Sequence, residues 1–334
     1  MGVDHPWVAA ADGDYLEPNM ATQFTHTTDT TFSLAKTPID LQNLQLELED
    51  YDPDKAAEIY NGFSSGFPLH YSGYRAPLDS KKLKSANIRP EIVRQKIQAE
   101  IEAGRVAGPF HARPIKNLRI SPLGLVPKHE PGQFRLIHHL SYPSGNSVND
   151  FIDPDLCSVL YTSFDEAVHM VQDLGRGCLL GKSDIKSAFR LLPVSPQDFD
   201  QLGFKFDGKF YFDKAMPFGC SIACQTFETF STFLEYCVVK QASVGRLLHY
   251  LDDFLMGGSR GTNHCAYIMS VFQDKMTLLG VPIATEKTEG PKTKICFLGL
   301  EIDSEELVIR IPTSKVQEII EKNEEILLLK KNAN

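Results

Sequence analysis

Hydrophobic and polar positions change rhythm along this chain, and each change marks an element. Up to about residue 60, apolar residues lie without period among Thr, Asp and Gln, so residues 1–60 are predicted as an acidic, mostly disordered arm with a short helix near Asp54–Tyr60. Order is expected to begin near GFPLHYSG (66–73). In RPEIVRQKIQAEIEAGRVAG (89–108), Ile92, Val93, Ile97 and Ile101 recur on one side of a helix, with Pro90 at its first position and Gly104 as its stop. The runs LGLVPK (123–128) and QFRLIHHL (133–140), joined through HEPG, read as a β-hairpin with Lys128 and Arg135 near its tip. Thr162 and Asp165 resemble a capping box opening a helix that stops near Gly175. CLLGKSD (178–184) is a short apolar strand ending in an acid, KFYFDKAMPFG (209–219) a strand and turn, and CSIACQTFETFSTFLEYCVV (220–239) a long apolar helix. In GRLLHYLDDFLMGG (245–258) two apolar runs flank Asp252-Asp253, a hairpin with its acids at the turn. A helix over 262–279, a strand KICFLGLEID (294–303) and a final helix from about Thr313 complete the pattern. Hairpins and helices without regular βαβ spacing predict an α+β fold, an antiparallel sheet under helices.

At 334 residues the chain can bury a substantial core, and 42% apolar with 23% charged residues is ordinary for a soluble protein. No stretch approaches ~20 apolar residues and no signal-peptide pattern opens the chain, so an intracellular protein without a membrane partner is expected. The seven cysteines form no CxxC pair, which points to reduced thiols. His138 and His139 are neighbours on a strand, so they face opposite ways and make no zinc pair. A formal charge of −9 argues against a nucleic-acid partner until the charge is located. Residues 1–60 hold twelve acids against Lys36 and Lys55, whereas residues 75–135 are clearly basic, with Arg75, Lys84, Arg94, Arg113, Lys128 and Arg135 among the cations. That division suits local contact with a polyanion.

The acids inside HYLDDFLM (249–256) are the main chemical clue. Each isolated carboxylate held away from water would cost several kcal/mol unless a cation or a protonation change compensates. An Asp-Asp pair alone is most often a solvated turn, but these two lie in an apolar run, and the strand ending in Asp184 supplies a third acid. Divalent metal relieves such repulsion, and two ions ~3.5–4 Å apart clamp an in-line phosphoryl displacement. Oxygen-only ligands favour Mg²⁺, with Mn²⁺ as the alternative ion.

Taken together, these segments resemble the reverse transcriptase family. YLDD (250–253) is similar to its catalytic hairpin, SDIKSAFRLLPV (183–194) to its first metal-binding segment, and MPFGCSIACQTF (216–227) to the segment along the incoming nucleotide and template. LGLVPKHEPGQFRLIHHLS (123–141) resembles the fingers hairpin, and ATEKTEGPKTKICFLGLEID (284–303) the lysine-bearing segment and primer grip. The resemblance implies a right-hand polymerase: fingers and palm over 61–310, and a thumb or connection helix begun but truncated over 311–334. It implies an RNA-directed DNA polymerase acting on an RNA or DNA template with primer and on deoxynucleoside triphosphates, within a retroelement polyprotein. FRLIHHLSYPSGNSVND and SDIKSAFR look closest to DIRS-like (tyrosine-recombinase) elements, with gypsy-like elements next.

Residue by residue, the resemblance makes Asp184, Asp252 and Asp253 the catalytic metal ligands, with the Ile185 carbonyl contributing. Lys128 and Arg135 would meet the β- and γ-phosphates, and Phe189 would stack under the sugar and exclude a 2′-hydroxyl. Phe218, standing where many relatives carry Gln, would pack on ribose or base, and Gly219 would allow close backbone approach. Lys287 would protonate pyrophosphate. Tyr250 would support the hairpin or touch the primer end, and Phe297, Leu298 and Gly299 would form the primer grip. Each has a plainer reading as a solvated charge or core side chain. No RNase H, protease, integrase or recombinase segment is expected in the chain. The alternative function is an inactive truncated relic that at most binds nucleic acid; an RNA-templated RNA polymerase fits less well because of Phe189.

Overall fold

A computed structural model describes residues 30–80, 88–128 and 132–331. The first helices are α1 (Leu41–Leu48) and α2 (Pro53–Ser65), each capped by an aspartate: Asp40 accepts from the Asn43 N–H at 2.9 Å and Asp52 from the Lys55 N–H at 2.9 Å. They bury Leu44, Leu48, Ile59 and Phe63, so the disorder expected over 1–60 does not hold for this part. Polar residues, Gln42 and Gln45 in α1 and Asp54 and Lys55 in α2, cover the solvent side of an apolar face spaced by three and four residues, while Glu47 turns inward to pair with Lys275 of the later helix His264–Leu279. Residues 1–29 of that expected arm lie outside the described residues.

Strand β1 (Leu78–Asp79) precedes helix α3 (Pro90–Glu102), which ends two residues before Gly104 at φ +70°. Then come β2 (Val106–Phe110), β3 (Arg119–Ile120), β4 (Leu123–Pro127) and β5 (Phe134–His138). Strands β4 and β5 form the expected antiparallel hairpin, with Val126 opposite Arg135; the turn residues 129–131 lie outside the described residues. Helix α4 (Phe164–Leu174) opens one residue later than expected, on a capping box of Ser163 and Glu166. Ser163 takes the cap because the Glu166 carboxylate reaches back to its N–H at 2.6 Å.

The rest of the chain supplies β6 (Leu179–Asp184), β7 (Gly203–Phe206), β8 (Lys209–Asp213), α5 (Ala223–Ala242), β9 (Arg246–Tyr250), β10 (Asp253–Gly258), α6 (His264–Leu279), β11 (Glu289–Lys292), β12 (Lys294–Phe297), β13 (Leu300–Asp303), β14 (Val308–Arg310) and α7 (Thr313–Lys331). The single strand expected over 294–303 is two, because Leu298 and Gly299 both have positive φ and turn the chain back on itself.

Two sheets organise the site. The palm sheet runs β11-β6-β10-β9, all antiparallel. Its side chains alternate: Phe254 and Met256 join the large core with α5 and α6, while Leu255 joins a second core with α4, Ile295 and Phe297. The fingers sheet runs β1-β3-β7-β8-β2 and packs under α3, with Val93, Ile97, Phe204 and Tyr211 in its core. This is the α+β arrangement expected. All seven cysteines are free thiols. Among the described residues no helix is long and apolar enough to cross a membrane.

Candidate active site

Strand pairing brings the acids together. Asp253 stands directly opposite Asp184 in the β10–β6 ladder, a register that leaves cross-strand side chains on one face with Cβ atoms ~5 Å apart. Asp252 occupies the turn before β10, and its carbonyl accepts from the Ile185 N–H at 2.9 Å. The preceding turn residue, Leu251, has φ +52°, a left-handed conformation that costs a non-glycine residue ~1–2 kcal/mol. Packing of its side chain against the core holds it there.

The electrostatics agree with this crowding. Burial, then the Asp184 carboxylate, raises the pKa of Asp252. For Asp253, burial and the charges of Asp252 and Asp184 push the carboxyl up to about 6. Lys287 Nζ sits 2.6 Å from Asp184 Oδ2, so the lysine read from the sequence as a proton donor is joined to the acids by an ion pair. Among the described residues no group of three or more His, Cys, Asp and Glu side chains closes into a metal cage. Lys287 brings one cation to the acids at Asp184.

Asp184 lines two cavities. The larger, about 550 Å³, is bounded by Asp184, Ile185, Asp252 and Lys287 on the palm side and by Lys128 and Arg135 on the fingers side, with Phe189 and Phe218 between. Arg135 lies 4.9 Å from the Phe218 ring centroid, a cation–π contact. Phe218 in turn lies 5.4 Å from Phe189, whose other side meets Phe227 at 5.8 Å. Gly219, at φ +114°, lets the loop approach β5 so closely that a Cβ would overlap the His138 carbonyl oxygen. The smaller cavity, about 360 Å³, is bounded by Asp184, Asp253, Lys287, Phe297, Leu298 and Gly299. Tyr250 lies on the α4 side of the hairpin, its ring 4.8 Å from Tyr161. The two cavities thus bring together the residues singled out from the sequence except Gly219, which lies behind the Phe218 loop, and Tyr250, which packs on the α4 side; neither lines them.

Several groups were not anticipated. His249 bridges two carboxylates of α5, with Nε2 3.1 Å from Glu228 and Nδ1 against Glu235. Burial opposes its charge, but the two glutamates outweigh that and push the imidazole up to about 9. His138, rejected as a zinc ligand, is buried with Nδ1 2.9 Å from Asp213 and Nε2 3.1 Å from the Gly203 carbonyl. Arg190 is buried beside Phe189. A polar residue inside an apolar run was the available signal for each.

Comparison with known proteins follows the same lines. The chain is 23% identical over 274 residues to the Transposon Tf2-3 and Tf2-4 polyproteins of Schizosaccharomyces pombe, a match covering 81% of this chain and 19% of each polyprotein. It spans about a fifth of the length of these curated relatives. Its fold is similar to a foamy viral protease-reverse transcriptase in complex with double-stranded DNA, with a TM-score of 0.56 at 15% identity over 80% of this chain and 46% of that one. The same kind of protein in complex with an RNA/DNA hybrid gives 0.55 at 15% identity, over 84% and 37%. The description "Reverse transcriptase (RNA-dependent DNA polymerase)" matches residues 126–302, more than half of the chain, and the chain belongs to that family.

Proposed function

We propose that this chain is the polymerase portion of a retrotransposon polyprotein, adding deoxynucleotides to a primer 3′-hydroxyl on an RNA or DNA template. The observation that carries the reading is the in-register Asp184–Asp253 pair with Asp252 beside it, of which Asp184 and Asp252 line a cavity whose other wall carries Lys128 and Arg135. Residues 61–310 are assigned to fingers and palm, and 311–334 to the first helix beyond them. The DIRS-like character of residues 134–150 and 183–190 supports kinship with tyrosine-recombinase elements, gypsy-like elements being the alternative.

The donor set fits Mg²⁺: carboxylate oxygens on an open edge leave room for water and substrate phosphates, which this ion prefers over an all-protein cage. Asp184, Asp252 and Asp253 would hold the ions, with the Ile185 carbonyl alongside. Held by these residues, such ions would supply activation of the attacking hydroxyl and neutralisation of charge on the leaving pyrophosphate. The chain's own residues do the rest. Arg135, presenting a planar fork, and Lys128, a point charge, draw the triphosphate to the fingers wall. Phe189 closes the space beneath the sugar. Lys287, held on Asp184, is placed to give a proton to pyrophosphate. Gly299 and its neighbours line the adjoining cavity where the primer end would rest.

Primer extension on an RNA template with Mg²⁺ and deoxynucleotides tests this. Extension by the natural chain, lost ~10³-fold or more in Asp252→Asn, is expected. No extension by either protein at low salt, with both folded, leaves a fold that only binds nucleic acid.

A further inference from the structure

Beneath the larger cavity lies a buried ion network that this chemistry does not use. Arg190, 6% exposed, follows Phe189 in a short 3₁₀ turn. Its Nε donates to Glu100 Oε2 on α3 at 2.9 Å, and Nη2 donates to Asp213 Oδ1 at the end of β8 at 2.8 Å. Nη1 donates to the carbonyls of Ala215 and Met216 at 2.9 and 3.3 Å. The second Asp213 oxygen meets His138 Nδ1 at 2.9 Å, and Glu100 Oε2 also accepts from Arg105 at 2.8 Å.

Stability does not account for this arrangement. Taking such charges out of water costs several kcal/mol per ion, and a well-packed apolar side chain at the same place is often neutral or stabilising. What the network fixes is more telling. Phe189 is the residue immediately before Arg190. The two bonded carbonyls lead directly into Pro217–Gly219. The His138 N–H donates to the Phe218 carbonyl at 3.0 Å, and the Phe218 ring carries Arg135. Phe189 is thus bonded directly to Arg190, the Pro217–Gly219 loop begins at a carbonyl Arg190 holds, and Arg135 is reached at one remove through the Phe218 ring. Only a rigid fork with five donors can serve four acceptors on three segments together; a lysine has three donors on one nitrogen.

We propose that Arg190, braced by Asp213 and Glu100, is a positioning residue of the nucleotide pocket. It sets the Phe189 ring and the Pro217–Gly219 loop, and through Phe218 the Arg135 guanidinium, at the spacing a deoxynucleoside triphosphate needs. This deepens the polymerase reading and rests on it. A purely structural role would weaken folding and every binding step together, whereas a positioning role acts on the nucleotide first.

The test uses the full chain with Arg190→Lys and, because that variant can lose its fold, the milder Glu100→Gln at the half-buried end of the network. The KM for dTTP and kcat are measured on an oligo(dT)-primed poly(rA) template, primer–template affinity by fluorescence anisotropy, and loop opening by amide hydrogen exchange at Phe218 and Gly219. The expected result is a KM for dTTP raised roughly ten- to hundredfold in Arg190→Lys, a smaller rise in the same direction in Glu100→Gln, primer–template affinity within twofold, and faster exchange at the loop. Unchanged KM and exchange in folded variants overturn the proposal. So does a loss of primer–template affinity as large as the loss for dTTP. If the natural chain extends no primer, the polymerase reading falls by itself, and the exchange data alone then decide whether Arg190 holds the loop.

Discussion

The hairpin carrying the acids and the hairpin carrying the cations are built to opposite standards. In the palm, β10 is paired on both sides, by β6 and β9, and Phe254, Leu255 and Met256 have no exposed surface. In the fingers, β4 and β5 form a two-stranded ribbon among the described residues; Leu123 and Leu125 are buried against α3, while Val126, one residue further along, is 46% exposed. A two-stranded ribbon is marginal in water by itself, so this one depends on the helix packed against its inner end. Under the roles proposed above, acids that bind metal must keep their spacing through every cycle, whereas cations that bring in a triphosphate must also let pyrophosphate go. The firm scaffold therefore lies under Asp184 and Asp253, and the yielding one under Lys128 and Arg135.

The comparison can be broken at several points. The largest effect is expected for Phe254→Ala, which empties a fully enclosed site between β10 and α6 and should cost ~3–5 kcal/mol in urea unfolding. A loss below ~1 kcal/mol would mean that the palm sheet is no firmer than the fingers ribbon. Next is the His249 clasp between the palm hairpin and α5. Its folded pKa of about 9 lies above the ordinary 6.5, so its contribution is complete below pH 6.5, falls as pH rises through the interval, and is gone above about 9. The amount lost is on the order of 2–3 kcal/mol, read from unfolding free energies between pH 6 and 10. A profile no flatter in His249→Gln than in the natural chain rules out this clasp.

The third prediction concerns the junction of the two regions. Phe189→Val removes the ring between Phe218 and Phe227 and should lower discrimination against ribonucleotides ~10–100-fold in single-nucleotide incorporation. Unchanged sugar selection would take the gate away from Phe189. The smallest effect belongs to the ribbon: Val126→Ser should stay within ~0.5 kcal/mol of the natural stability. A larger loss would show that the exposed half of the ribbon is packed after all.

How much of this could be read from the sequence depended on distance along the chain. The YLDD turn, the strand ending at Asp184 and the MPFG loop were legible because local alternation and an acid in an apolar run are local signals. The split at Leu298-Gly299 was not, since a leucine at positive φ leaves no trace in hydropathy. Helices α1 and α2 were hidden because each shows so few apolar residues between its acids and amides that its period does not stand out. Arg190 could be seen as an oddity in SAFRLL, but its partners are 23 and 90 residues away. Only the folded chain brings them to it.

Gly219 sets a boundary on how this protein can be re-engineered. With φ at +114° and a neighbouring carbonyl where a Cβ would go, a saturation library at this position should return one residue among active clones. Substitutions at Phe218, next to it, leave the backbone in place and should instead change nucleotide affinity by moving Arg135. A nucleotide pocket with altered substrate range is thus best sought by varying the ring and leaving the peptide behind it untouched.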